Sequence, residues 1–455
     1  MLNSRYLVVQ PQYFKQIIRL KSTKMTSPVS PPDCVRGMKV FKPEMFQKSA
    51  SFPCLKIQVE QLNRLKKVLE KFAVKIPNLK TVQDTEESGQ KIILLNPNII
   101  KTFSDLKDVK EELLINQVNE DDLSIREFDL EAENWKPHEK LKYILPEDDE
   151  GVSGFSIIGH IIHLNLKESL LPYKNVIGAV LLETKNIKTV VTKTTNIDNT
   201  FRNFQLEVLA GENNFQVTVK ENGINFTFDF SLVYWNPRLS TEHERIVKKL
   251  DTNSILLDAC AGVGPFSIPA AKKCRVLAND LNPESFKWLK YNKEKNKIRE
   301  DRIELYNLDA REFIKLNLPR VIKEIVEEGT EQQIHITLNL PGLAVTFMDV
   351  FQGVLADCSE LESCNFNLPL VHVYTFSKAE DTVLDVRTRV EDNLGCSLDP
   401  DHLVEVAFVR NVAPNKDMLR CSFRVPRSIL FDKGTKRRLN QGDEENDNSC
   451  KKMKE

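Results

Sequence analysis

A chain of 455 residues, 41% hydrophobic and 28% charged, has the length for two or three domains and the composition of a folded globular protein. Its net charge of -1 excludes a polycation, so any nucleic-acid surface must be a local basic face. No apolar run reaches the roughly 18 residues that a membrane span needs, and nine cysteines with no CxxC spacing argue against a zinc centre or a disulfide framework.

The first 32 residues hold Arg5, Lys15, Arg19, Lys21 and Lys24 and no acidic group. Interleaved with Phe14, Ile18 and Leu20, they read as a mitochondrial transit segment. Met25 offers an internal start for an untargeted form, so a mitochondrial matrix location with nuclear and cytoplasmic pools is expected. Residues 41–150 mix helical runs, such as "VEQLNRLKKVLEKFAV" from Val59, with acidic stretches, and are expected to form an N-terminal domain. "PEDDEG" at 146–151 then reads as a linker.

Residues 151–234 read as an α/β module. Strand patterns recur at "GFSIIGHIIHLNL", "TVVTKTT", "FQLEVLAG", "FQVTVKENG" and "INFTFDFSLVYW", with a helix at "NVIGAVLLETK". His160 and His163 fall in the first of these strands and are expected to be structural. From 235 to 428 strands alternate with helices, at "SILLDA", "RVLAND", "IELYNL", "HITLNL" and "LVHVYTF". That alternation predicts a parallel doubly wound sheet, and Ala413-Pro414-Asn415-Lys416 predicts a terminal antiparallel hairpin. Residues 429–455 form a charged tail expected to be disordered, with Lys436, Arg437 and Arg438 read as solvated.

The chemistry sits in the last block. "LLDACAGVGPFSIPAA" is a strand, a small-residue loop and a helix, with Gly262 and Gly264 in the loop. It lacks the lysine of a triphosphate loop and the third glycine of a dinucleotide loop. The next strand ends at Asp280, placed to accept both ribose hydroxyls of an adenosine, and the third at Asp309, near the adenine edge. The neighbouring Leu281 and Ala310 join the expected cofactor contacts. The fourth strand ends at Asn339, with Pro341 beyond it, over the reacting centre. Gly, Asp, Asp and Asn at four successive strand ends fit S-adenosyl-L-methionine, and no metal is expected.

The motifs "YWNPRLSTEHERI", "DACAGVGPFSIPA", "NDLNP", "LDAR", "NLPG" and "VRNVAPNKDM" resemble those of the archaeal and eukaryotic tRNA (guanine-37-N1)-methyltransferases. The resemblance covers about 154 to 426, and "PPDCVRGMKVF" is similar to eukaryotic members. It implies a Rossmann-type methyltransferase domain preceded by an RNA-binding α/β module and an N-terminal domain. It also implies tRNA as partner, no membrane, a monomer, and methyl transfer to nitrogen 1 of guanosine 37.

Residue by residue, the resemblance makes Glu242 the general base and Arg202 the cation at oxygen 6, with Arg238 orienting the glutamate. Asn339 holds the target base, Pro341 shapes its pocket, His243 contacts the cofactor as well as Asn339, and Tyr234 fills an aromatic position. "YWNPR" departs from the archaeal "YFSPR" form. From the residues alone, Glu242 reads first as a first-turn acid favoured by the helix dipole and Arg202 as a surface arginine. Two rival functions stand beside this one: a wybutosine-pathway aminocarboxypropyltransferase, against which "NLPG" speaks, and a non-catalytic RNA-binding relative.

Overall fold

The computed structural model describes residues 29–147, 152, 154–197 and 204–433, and the chain divides into two compact units. One is residues 1–193 with 206–214; the other is 194–205 with 215–455.

In the first unit, strand Lys48–Gln58 buries its centre, Phe52 to Leu55, and pairs antiparallel with Gln90–Leu94 and Leu123–Leu130. Val82–Asp84 completes that sheet. A second four-stranded sheet runs Phe155–Ile158, Ile161–Leu164, Thr189–Ile197, Phe204–Gly211, with helix Lys174–Leu182 burying Val176, Ile177, Val180 and Leu181. Phe46, Phe52, Trp135 and Leu141 share one apolar core with Ile162, Val176 and Val190. The expected break near 150 is therefore not a boundary between separate cores. His163 is half-buried in its strand, where burial lowers its pKa to about 4, and His160 Nε2 lies 3.1 Å from the Asn214 carbonyl.

The second unit is built on a seven-stranded sheet. Its strands are β1 (Ser254–Asp258), β2 (Arg275–Asn279), β3 (Ile303–Tyr306), β4 (Gln333–Leu338), β5 (Leu370–Ser377), β6 (Leu403–Ala413) and β7 (Lys416–Arg424), in the order β3-β2-β1-β4-β5-β7-β6. The first five are mutually parallel, and β7 runs antiparallel to both β5 and β6, the terminal hairpin expected from the sequence. All five residues of β1 are buried, as a central strand covered on both faces requires.

Six α-helices accompany these strands among the described residues: α1 (Ser240–Lys249) precedes β1, then come α2 (Ser267–Ala270), α3 (Pro283–Lys295), α4 (Ala310–Glu328), α5 (Thr382–Leu394) and, after β7, α6 (Arg427–Leu430). α4 buries Phe313, Ile314, Leu318, Val321, Ile322 and Ile325 at helical spacing and ends on Gly329 at φ 63°, a left-handed cap that glycine takes without strain. The chain leaves β1 for β2 on one side and returns to β4 on the other. Such a reversal opens a crevice at the carboxyl ends of the strands, where ligands bind in sheets of this kind.

A hairpin, Gln216–Glu221 with Ile224–Asp229, turns at Asn222 and Gly223, whose φ values of 48° and 81° suit a two-residue turn between twisted strands. Asn292 on α3 accepts from the Thr227 amide at 2.8 Å, and Asn296 donates to the Asn225 carbonyl at 2.8 Å. Those bonds tie the hairpin to the second unit, which holds 194–205 as well as 215–455, so no single break at the expected 234 separates the two.

Candidate active site

β1 ends on Asp258, which is fully buried and accepts from Ser267 Oγ at 2.6 Å and Thr337 Oγ1 at 2.8 Å. Burial pushes its pKa up to about 6, and the two hydroxyls restrain the rise. The carboxylate thus joins β1, β4 and the start of α2 beneath the loop. Above it, the Ala261 amide bonds to the Asn279 carbonyl at 2.7 Å and the Gly264 amide to the Ala261 carbonyl at 2.9 Å.

The two loop glycines differ. A Cβ on Gly264 would lie 2.6 Å from Ile268 Cγ1 and 2.8 Å from Leu289 Cδ1, so this glycine is required by packing. A Cβ on Gly262 would meet nothing within 4 Å, so there the backbone faces open space.

Asp280 follows β2. Its Oδ2 accepts from the Gly262 amide at 2.8 Å and its Oδ1 from the Asn282 amide at 3.0 Å. Burial raises its pKa, opposed by those amides and by Ser285. Leu281 is 52% exposed, a large apolar side chain held at the crevice edge. Asp309 caps α4 by accepting from the Arg311 amide at 2.8 Å, and Ala310 is buried in the first turn. Asn339, just past β4, keeps its Oδ1 buried with no hydrogen-bond partner among the described residues; Pro341 is half-buried nearby in sequence. A buried amide oxygen left unpaired costs about 1–3 kcal/mol, which a donor on a ligand would offset.

Glu242, in the first turn of α1, is 4% exposed. Its Oε1 accepts from Tyr374 Oη at 3.0 Å and Arg420 Nε at 2.8 Å, and its Oε2 from Arg245 Nη1 at 2.6 Å. His243 is 4% exposed, with Nδ1 2.7 Å from Glu221 Oε1 and its ring edge against Phe266. Arg238 is exposed, and no hydrogen bond joins it to Glu242 among the described residues. Burial first, and then the charge of Arg238, lower the pKa of Arg410. Tyr234 is exposed, with Oη accepting from Asn236 at 3.3 Å. Arg202 lies outside the described residues.

Sequence reasoning passed over four residues that hold the site together. Asn279 donates to the Ala259 and Leu308 carbonyls, both at 3.0 Å, and accepts from the Leu308 amide at 2.9 Å, binding three strand ends. Arg420, Tyr374 and Arg245 grip Glu242. Arg420 had a visible signal, since "MLRCSF" places a charge inside an apolar strand run.

The residues present fit an adenosine-type cofactor. Gly262 lets backbone approach closely, Asp280 supplies a carboxylate at the second strand end, Leu281 offers an exposed apolar face and Asn339 an unpaired acceptor. Fold and site together define an S-adenosylmethionine-dependent methyltransferase of Rossmann type. The family profile "TRM5/TYW2 methyltransferase domain" matches residues 217–341, and the "TYW2 N-terminal domain" profile matches 138–214. The chain is 48% identical over 408 residues to the tRNA (guanine(37)-N(1))-methyltransferase of Drosophila melanogaster, covering 88% of each. It is 45% identical to that of Xenopus tropicalis, covering 89% of this chain and 82% of the relative. The fold is similar to that of Trm5b from Pyrococcus abyssi (TM-score 0.54, 23% identity, 82% of this chain, 99% of that one). It is also similar to an aTrm5 solved in complex with tRNALeu (TM-score 0.57, 22% identity, 82% of this chain, 99% of that one). This chain belongs to the tRNA (guanine(37)-N(1))-methyltransferase family.

Proposed function

We propose that this enzyme methylates nitrogen 1 of guanosine 37 in tRNA, with Glu242 taking the nitrogen's proton. The reaction and cofactor follow from membership of the family. The assignment of the base is supported by one observation above all: a buried carboxylate in the unit that carries the strand-end ligand set, held by donors on three elements. S-adenosylmethionine supplies an electrophilic methyl group.

The chain's residues must solve the rest. Nitrogen 1 of guanine is protonated at neutral pH, so its lone pair is free to attack only as the proton leaves. Glu242 accepts that proton. Negative charge then shifts onto oxygen 6, where the resemblance assigns Arg202, whose guanidinium stays cationic while donating directionally. The unpaired Oδ1 of Asn339 is suited to a donor on the purine edge, and Asp280 to the ribose hydroxyls. Arg238, exposed and cationic, is suited to phosphate. The tRNA held by the aTrm5 neighbour supports tRNA as the partner.

Glu242→Gln keeps shape and loses basicity. Single-turnover methyl transfer should fall about 10²–10⁴-fold, with tRNA affinity little changed and partial rescue at high pH. A wild-type rate, or a loss explained wholly by collapsed tRNA binding, would refute the assignment. The acid-free basic start supports import into mitochondria, with Met25 yielding a second pool. Deleting residues 1–24 should abolish import and spare activity on purified tRNA; unchanged import removes the idea.

A further inference from the structure

Tyr374 on β5 and Arg420 on β7 are directly opposite each other in the antiparallel register, so their side chains leave the same face of the sheet. Both are fully buried, and both reach the same atom, Glu242 Oε1. Arg420 cannot swing. Its Nη1 donates to Glu405 Oε1 at 2.9 Å and to Ser422 Oγ at 2.6 Å. Behind these, Lys249 Nζ holds Glu405 at 2.8 Å, and His372 Nδ1 lies 2.9 Å from Ser422 Oγ with its Nε2 3.1 Å from His335 Nδ1. Burial alone would weaken the charge on Arg420, but Tyr374, Glu242 and Glu405 raise its pKa above the usual arginine value. Burial and the Glu242 charge push the Tyr374 phenol well above its ordinary range, so it remains a donor.

Arg245 is of another kind. Its side chain is 42% exposed, and it meets Glu242 Oε2 as an i,i+3 pair on α1. Only the carboxylate end of this pair is buried; solvent reaches the guanidinium, which can leave for water without breaking any other bond to Glu242. A carboxylate oxygen has two acceptor positions. Oε1 has both filled, whereas Oε2 carries one donor among the described residues.

We propose that Tyr374 and Arg420 are positioning residues that fix Oε1 of Glu242, and that Arg245 is an exchangeable cover on Oε2, the oxygen that takes the proton from guanine nitrogen 1. In that step the N1–H bond breaks, the Oε2–H bond forms, and the electron pair stays on nitrogen 1 for the new bond to carbon. The proposal rests on reading Glu242 as the base. The charged groups facing that carboxylate are Arg420 from β7 and Arg245 from its own helix, with Tyr374 from β5. Glu405 and Lys249 act on it through Arg420, and Asp258 stands behind Tyr374.

The test is the pH–rate profile of single-turnover methyl transfer by the full chain, at saturating tRNA and S-adenosylmethionine. Tyr374→Phe and Arg420→Lys should each lower the high-pH plateau roughly tenfold or more, the lower end of general-base effects. Both should also move the acidic limb to higher pH, because a buried carboxylate has lost a donor that favours its charged form. KM for tRNA should stay near wild type. Arg245→Ala should move the limb the same way but raise the plateau, since the accepting oxygen is uncovered and more basic.

A fallen plateau in Tyr374→Phe with an unmoved limb would reduce the network to a structural role and overturn the proposal. So would a plateau in Arg245→Ala that falls as far as in the other two. If thermal melting shows that Arg420→Lys does not fold, Tyr374→Phe decides, because it removes one hydroxyl and leaves the ring. Glu242→Gln separates the two failures. A slow Glu242→Gln enzyme without an acidic limb, beside an unmoved limb in Tyr374→Phe, sinks the positioning role and leaves the base intact. A wild-type rate in Glu242→Gln sinks both.

Discussion

At the scale of single residues, Asp280 does two jobs with one carboxylate. Oδ2 anchors the glycine loop through the Gly262 amide and Oδ1 shapes the turn into α3 through the Asn282 amide, leaving further acceptor positions for ribose. Asp280→Ala should weaken S-adenosylmethionine binding by about 1.5–3 kcal/mol, the scale of hydrogen bonds to charged groups. Asp280→Asn, which can still accept from Gly262, should lose less. Calorimetry showing wild-type affinity for the alanine variant would mean the carboxylate serves the loop alone. Asp280, Gly262 and Asn339 were legible because the ends of successive strands can be counted along the chain. The partners of Glu242 were not. Tyr374 and Arg420 reach it across 132 and 178 residues of sequence, through a strand order that no local pattern reveals. Arg238, expected to orient Glu242, is exposed and makes no hydrogen bond to it among the described residues, where Tyr374 and Arg420 on the strands hold the carboxylate.

At the scale of elements, the loop after β1 separates a glycine needed for folding from one needed for the ligand. Gly264 has φ 100° and no room for a Cβ beside the buried Ile268 and Leu289. Strain and overpacking each cost about 1–3 kcal/mol, so Gly264→Ala should destabilise the second unit by roughly 2–4 kcal/mol. Gly262 has φ 55° and open space, so Gly262→Ala should cost only about 1–2 kcal/mol of stability for the left-handed backbone. Its methyl group would instead project where the cofactor passes, lowering affinity about tenfold or more, a penalty of 1.4 kcal/mol per decade. Thermal melting and calorimetry on both variants check this; equal stability losses, or unaltered cofactor binding in Gly262→Ala, would contradict it. The 216–229 hairpin shows the limit of reading elements from sequence. Its turn was legible in "ENG", but its allegiance is decided by Asn292 and Asn296 on α3, whose role no periodicity discloses.

At the scale of the molecule, the alternation of strands and helices past 235 was enough to foresee the doubly wound sheet, because buried parallel strands read as apolar runs. The shared core on either side of 150 was not foreseeable, since packing between sheets leaves no local mark. The second unit also carries opposed titrations in its buried strands, where burial holds His372, 3.1 Å from His335, well below the usual histidine range as well. Burial lowers the pKa of His335 to about 4, while burial raises that of Asp258 to about 6. For His335 the folded value is depressed below an unfolded value of roughly 6.5. Its stability contribution is complete above that pH and lost as pH falls toward 4, by up to about 3 kcal/mol. For Asp258 the folded value is raised above an unfolded value near ~3.9. Its contribution is complete below that pH and is lost as pH rises through 6, a span of about 3 kcal/mol. Between pH 6 and 4 the gain from Asp258 offsets part of the loss from the two histidines, so the second unit should resist mild acid better than its buried histidines alone would allow. Asp258→Asn removes the gain, so acidification should then destabilise the unit steeply. His335→Gln removes part of the loss, so the unit should lose less stability than wild type as pH falls from 7 to 4.5. Native-state hydrogen exchange of the β4 and β5 amides between pH 4.5 and 8, corrected for intrinsic exchange rates, follows this core directly. Parallel pH dependence in wild type and both variants would show that neither buried group is linked to folding in the way its surroundings require.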